Sequence, residues 1–190
     1  MQETAIGLVA LGNGVPELVL KIIAAHIEGY LNLSTVQLKS LQLPASCLDE
    51  RRLQYDAGKL LQYLEEQPFE GCSKIIGVLG GDLFVPIFTH VFGEARQGGG
   101  HALVSLHRLF HSEAGTPCPE PLAYERAAKV ALHETCHLFD LLHCQDQDCL
   151  MHFSDDIPAL DALPINFCPY CTQYINDACR RMGIAKKVLF

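Results

Sequence analysis

The 190-residue chain is short of positive charge: 14 Lys and Arg stand against 22 Asp and Glu, a formal net charge of −8. That balance repels a phosphate backbone and leaves little basic surface for nucleic acid or anionic lipid, so neither is an expected partner. Long apolar runs are missing too, since Gly, Pro or a charge interrupts each one before it nears the ~20 residues of a membrane span. The opening Met1-Gln2-Glu3-Thr4 has an acid where an export signal has basic residues, and the expected compartment is the cytoplasm. A phosphate-binding GxxxxGK[ST] loop is absent, and Gly80-Gly81 is too short a pattern to replace it. No internal repeat, low-complexity tract or linker divides the chain. A single domain over residues 1–190 is therefore expected, with sheet and helices in 1–140 and a C-terminal subdomain in 141–190.

What is present suffices for a full core: 49% of residues are hydrophobic and 19% charged. Ala5 to Leu11 reads as a strand closed by Gly12-Asn13-Gly14. After Pro16, the stripe Leu18, Leu20, Ile22, Ile23, Ile27 and Tyr30 predicts a helix of about four turns. Val36 to Leu38 is a short strand, Tyr55 to Gln67 a helix ending at Pro68, and Lys74 to Leu79 a strand covered on both faces. A further apolar run spans Leu83 to Phe92, and Ala102 to Leu109 returns as a core strand. Tyr124 to Leu142 reads as a long helix, and Thr172, as a cap, opens a last helix running to Gly183. The alternation of strands and helices makes the fold class α/β.

His133-Glu134-Thr135-Cys136-His137 has the form H-E-x-x-H on the long helix. One helical turn, about 6 Å along the axis, sets both imidazoles on one face, where they can share a zinc ion. Glu134, beside the first of them, can act on a water without coordinating the metal. A third ligand must come from His143, which a continuous helix would carry out of reach. The chain is therefore expected to turn at Asp140, a residue type that tolerates left-handed backbone. Three neutral histidines leave one position open, the arrangement of a catalytic zinc. Competing readings are an exposed histidine pair without metal, and Cys136 as a ligand instead of a buried thiol.

The chain has nine cysteines. Cys144 and Cys149 form one chelating pair and Cys168 and Cys171 another, about 20 residues apart, the pattern of a closed structural zinc site. Disulfides and an iron–sulfur cluster are the alternatives. Adjacent side chains diverge, so His143 and Cys144 can serve two different metals. Cys47, Cys72, Cys118 and Cys179 have no partner spacing and read as isolated thiols.

Together, HETCHLFDLLHC, QDQDC, the following Leu150-Met151 and the later CPYC resemble the archaemetzincin family of zinc metallopeptidases. The family signature runs HExxHxxGxxHC, four residues, C-x-M and then C-x-x-C. The resemblance implies that His133, His137 and His143 bind catalytic zinc, that Glu134 is the general base, and that Cys144, Cys149, Cys168 and Cys171 bind a second zinc. It further implies a methionine turn at Met151, otherwise readable only as a core methionine near the site. Asp82-Leu83-Phe84-Val85-Pro86 and Phe92-Gly93-Glu94-Ala95 extend the likeness over most of the chain, and Asp140 departs from it where the family carries Gly.

A metzincin-like zincin fold is implied, a twisted mixed sheet above the site helix, with the Phe84 to His101 segment as the edge that holds an extended peptide. The implied activity is peptide-bond hydrolysis by zinc-activated water, aminopeptidase-like, on peptides or unfolded protein, by a chain expected to be a monomer. The alternative is a zinc-stabilised interaction protein without hydrolytic activity. Tyr170, His101 and His152 are candidates for extra oxyanion donors.

Overall fold

Residues 5–111 and 116–181 are described by the computed structural model. The expected helix end at Gly183 lies outside them. Strand β1 (Ala5–Leu11) leads to helix α1 (Glu17–His26), which continues as one π-helical turn over Ile27–Leu31 and stops at Asn32 in left-handed backbone. Then follow β2 (Thr35–Gln37), β3 (Leu48–Asp49), β4 (Gln54–Asp56), α2 (Ala57–Glu65), β5 (Cys72–Leu79), β6 (Leu83–Phe84), β7 (Gly93–Ala95) and β8 (His101–Ser105). Helices α3 (Glu120–Leu138), α4 (Ile157–Ala162) and α5 (Pro169–Arg181) are the last elements among the described residues.

The main sheet has the order β2-β1-β5-β8-β7, its first four strands parallel and β7 antiparallel to β8 at the edge. Alternate residues on its strands feed two cores, the signature of a sheet covered on both sides. Ile6, Leu8, Ile76, Val78, Ala102 and Val104 face α1 and α3. Val9, Leu11, Ile75, Leu79 and Leu103 face Leu60, Leu61 and Leu64 of α2. A smaller sheet, β3-β4-β6, sits beside them. No helix among the described residues is long and apolar enough to cross a membrane.

Helix α3 is buried on most of its circumference, including Arg126 and Lys129 at 4% and 1% exposure. Charges so enclosed need partners. Arg126 makes a two-pronged pair with Asp161 at 2.6 and 2.7 Å, and Lys129 donates to Leu160 O and Asp161 O while pairing with Glu125. Both latch α4 onto α3. At the other end, buried Lys74 on β5 donates at 2.7 Å to Leu138 O and Gly99 O, so an ammonium caps the helix's negative end.

Several expected boundaries shift. The run from Leu83 to Phe92 is not one continuous strand: Leu83–Phe84 pairs as β6, Val91 returns to bridge Leu83 with its N donating to Leu83 O at 3.0 Å, and residues 85–90 between them form a loop. Tyr55 belongs to β4, and Asp56 caps α2 by accepting from Lys59 N at 3.1 Å. Leu18 and Tyr30 in the α1 stripe are half exposed. The core strand stops at Ser105, short of Leu109, and α3 runs four residues earlier at each end than Tyr124 to Leu142. Pro169, not Thr172, opens α5, because a ring-fixed φ and a missing N–H suit the first turn.

In the central strand, a Cβ on Gly77 would lie 2.8 Å from Leu11 Cδ1 and 2.9 Å from Leu64 Cδ1, inside the core shared with α2. Gly77→Val should therefore destabilise the protein by about 1–3 kcal/mol through overpacking, read from the urea midpoint at unchanged m-value.

Candidate active site

Helix α3 carries His133 and His137 one turn apart, and their ring centroids lie 4.7 Å from each other. His143 joins them at 5.2 and 4.9 Å. One nitrogen from each of the three can be chosen so that all lie within 4.8 Å of one another. Orientation comes from the backbone. His133 Nδ1 is 2.9 Å from Leu150 O, and His137 Nδ1 is 2.7 Å from Leu141 O. A carbonyl only accepts, so both Nδ1 atoms carry the proton and both Nε2 atoms keep a lone pair for a metal. Burial, with His137 adding to it, pushes the His133 pKa down to about 3, and burial lowers those of His137 and His143. All three rings are thus neutral donors near pH 7, a set that suits zinc.

His143 reaches the cluster because the helix ends in a tight reversal at Asp140, whose φ is 67°. Leu141 N donates to Cys136 O at 3.2 Å and Asp140 N to His137 O at 3.0 Å, the paired bonds of a Schellman end with aspartate at the left-handed position. Gln97 Nε2 donates to Asp140 Oδ1 at 3.3 Å, Tyr174 donates its hydroxyl to Asp140 O at 3.2 Å, and Gly98 N donates to His137 O at 2.8 Å. The expected turn is present, held from three sides.

Glu134 lines the same cleft and is 7% exposed. Its side chain lies over Gly93 of β7 so closely that a Cβ there would fall 2.6 Å from both Cγ and Oε1. Only glycine fits. Burial, then the nearby Glu94, raises the Glu134 carboxyl well above the usual carboxylate range, a shift that a cation held by the neighbouring histidines would oppose.

Sulfur atoms of Cys144, Cys149, Cys168 and Cys171 also lie within 4.8 Å of one another. Cys144 and Cys168 are 3.8 Å apart at sulfur, well beyond the roughly 2.05 Å of a disulfide, and all nine cysteines are free. Cys168 N points at Cys149 Sγ (3.4 Å) and Cys171 N at Cys168 Sγ (3.5 Å), contacts that favour thiolate. The two clusters share a brace. Cys144 N donates to Met151 O at 2.8 Å, His152 Nδ1 bonds Cys144 O at 3.0 Å, and Leu150 of the same turn supplies the carbonyl that orients His133. Met151 is fully buried in the core beside them. Cys136 is fully buried, its thiol pushed well up by burial, and stands outside both clusters, as do Cys47, Cys72, Cys118 and Cys179.

The cleft holds a cavity of about 350 Å³ between β7 above, α3 behind and the Leu150 to Asp155 stretch below. Ser105 N bonds Phe92 O and Arg96 N bonds His101 O, so Phe92 and Arg96 turn their backbone groups toward β8. By alternation Gly93 and Ala95 turn theirs to the free edge. Tyr170, His101 and His152 do not line the cleft. Gly93 and the two orienting carbonyls were not foreseen from sequence: the carbonyls have no side-chain signal, and Gly93 gains meaning only from the strand placed against Glu134.

The model of peptidase family M54 matches residues 17–177. The archaemetzincin of Methanopyrus kandleri is 34% identical over 179 residues, covering 93% of this chain and 98% of that protein, and the Pyrococcus furiosus archaemetzincin is 34% identical over 170 residues, with 86% and 88% covered. The crystal structure of the Methanopyrus kandleri protein superposes with a TM-score of 0.84 at 32% identity over 95% of this chain and 97% of its own. A zinc-dependent peptidase from Methanocorpusculum labreanum gives 0.80 at 28% identity, covering 90% and 100%. A mixed sheet above a helix with clustered histidines is thus the metzincin fold, and the class is zinc metallopeptidase. The chain belongs to peptidase family M54, the archaemetzincins.

A non-glycine residue in left-handed backbone carries roughly 1–2 kcal/mol of strain. Asp140→Gly should therefore stabilise the protein by up to about 1 kcal/mol, the gain reduced by loss of the Gln97 bond, and should retain peptide turnover. Urea unfolding and a peptide assay on the same preparation check both.

Proposed function

We propose that His133, His137 and His143 hold the catalytic zinc and that Cys144, Cys149, Cys168 and Cys171 hold a second, structural one. The donor sets support this: three neutral, pre-oriented imidazoles open on a cleft, and four convergent sulfurs closed off from it. Zinc at the histidines supplies a Lewis acid that polarises a carbonyl and acidifies water. Glu134 is the general base. It takes the proton of the attacking water and passes it to the leaving nitrogen, a role supported by its place in the cleft next to His133. Gly93 holds the Glu134 carboxylate in place, and the free edge of β7 takes the peptide backbone. Met151 supports the floor as the methionine turn.

The substrates are small peptides or unfolded chain, and the narrower form of the activity is aminopeptidase-like release of a terminal residue. Comparing free with N-acetylated peptides tests that form. The observation that carries the reading is the convergence of three histidines and Glu134 on one cleft in an M54 chain.

Glu134→Gln, at equal zinc content and stability, should lose roughly 10²–10⁴-fold in kcat; undiminished turnover would remove the assigned base and favour a zinc-stabilised interaction protein. Cys149→Ser should lose one metal of the two, lower the Tm, and weaken turnover by about tenfold or more, because His143 adjoins Cys144. Metal analysis, thermal unfolding and the peptide assay on one preparation read the three quantities.

A further inference from the structure

Two lips border the cleft at the Gly93 end of β7, and they touch. The rings of Phe88 above and Phe153 below stand 6.2 Å apart, and His90 faces Asp155 beside them. Such apolar rings, 41% and 46% exposed, are costly to leave at a surface, and here each covers part of the other.

The upper lip is tied down from outside the cleft. Arg52 Nη2 donates to Phe88 O and Thr89 O at 3.4 and 2.9 Å, and Gln54 Nε2 to Thr89 O at 3.0 Å. Gln54 is itself fixed by Asp82, which Arg108 grips at 2.7 Å. These bonds set a loop that has no strand pairing of its own between Val85 and His90, and they present Phe88 to the lower lip. The lower lip is anchored by the cysteine cluster: His152 bonds Cys144 O, and the next residue, Phe153, packs its ring 5.2 Å from that of His143.

Direction follows from the sheet. A peptide adding to the free edge of β7 pairs antiparallel more favourably than parallel. Because β7 runs away from the lips, from Gly93 to Ala95, an antiparallel peptide runs toward them. Residues after the scissile bond then meet the lips. At about 3.3 Å per extended residue, a ring 5.2 Å from His143 stands within roughly two residues of the site.

Resting on the peptidase reading above, we propose that Phe88 and Phe153 form a strap that closes the leaving-group side of the cleft and limits cleavage to bonds followed by one or two residues. Combined with release of an amino-terminal residue, that limit confines substrates to di- and tripeptides, so the substrate class is short peptides, and Phe88 and Phe153 set the limit.

The test uses zinc-loaded full-length protein and two peptide series with constant residues around the cleaved bond. One is lengthened from one to six residues on the leaving side, the other on the acyl side. In the parent, kcat/KM should fall at least tenfold once three residues follow the bond. Phe88→Ala, which touches none of the three histidines, should raise the ratio of long to short leaving-side substrates at least tenfold and leave the acyl-side ratios unchanged. Phe153→Ala, checked for zinc content, should act in the same direction.

A flat leaving-side series in the parent overturns the strap. So does a parent-like ratio in both variants, or relief confined to the acyl side. Binding separates this inference from the catalytic reading. Fluorescence anisotropy of labelled peptides on Glu134→Gln and on Glu134→Gln/Phe88→Ala needs no turnover. The double variant should bind long leaving-side peptides at least tenfold tighter, and equal affinities would reject the strap even where every catalytic assignment holds.

Discussion

One backbone reversal, at Asp140, is the constraint on which both clusters depend. An α-helix can bring two histidines to a point in space but not a third six residues further on. Left-handed backbone at Asp140 folds the chain back within one turn and frees His143 to meet His133 and His137. The same reversal delivers Leu141 O to His137 Nδ1, so one local conformation supplies both a ring and the bond that orients another. Glycine would adopt it at no steric cost, and aspartate adopts it with help from Gln97 on its carboxylate and Tyr174 on its carbonyl.

Immediately after the reversal, His143 and Cys144 point apart and bind two regions of the chain together. Cys144 bonds the Met151 carbonyl, and the stretch from Cys149 to Met151 contributes a sulfur to one cluster and the Leu150 carbonyl to the other. Neither cluster is an independent module. The long segment between α3 and α5 holds only the short helix α4. The proposed zinc on the convergent thiols would give that segment a rigidity that hydrophobic packing alone would not provide.

The chemistry was far more legible than the architecture around it. HETCH and the paired cysteines read directly, because ligand spacing is a local property of the chain and the geometry follows from helix rise and turn size. Asp140 as the turning point was also legible, since no straight helix could satisfy the third ligand. Local pattern was silent at Leu83 to Phe92. The apolar run there carried no sign of how it folds, and only its ends are near other strands. Its middle is a lip whose shape comes from Arg52 and Gln54, more than thirty residues earlier. Lys74 gave a signal that went unread. A lysine opening a buried apolar strand must find acceptors, and it finds them at the end of the site helix.

Three buried cations fix the position of the helix that carries His133, Glu134 and His137. Helix α3 is enclosed by sheet, α1 and α4, yet it and its neighbours carry Arg126, Lys129 and Lys74 inside. Removing one partner from a buried charge typically costs about 3–5 kcal/mol, so sliding or rotating the helix would break all three sets of contacts together. Apolar packing resists separation but tolerates small slips. Directional bonds from Arg126 and Lys129 to the α4 segment, and from Lys74 to the helix end, remove that freedom. His133 and Glu134 lie between those anchors. Their separation from β7, where Glu134 lies close over Gly93, is thereby fixed by buried charges on either side of them along the helix.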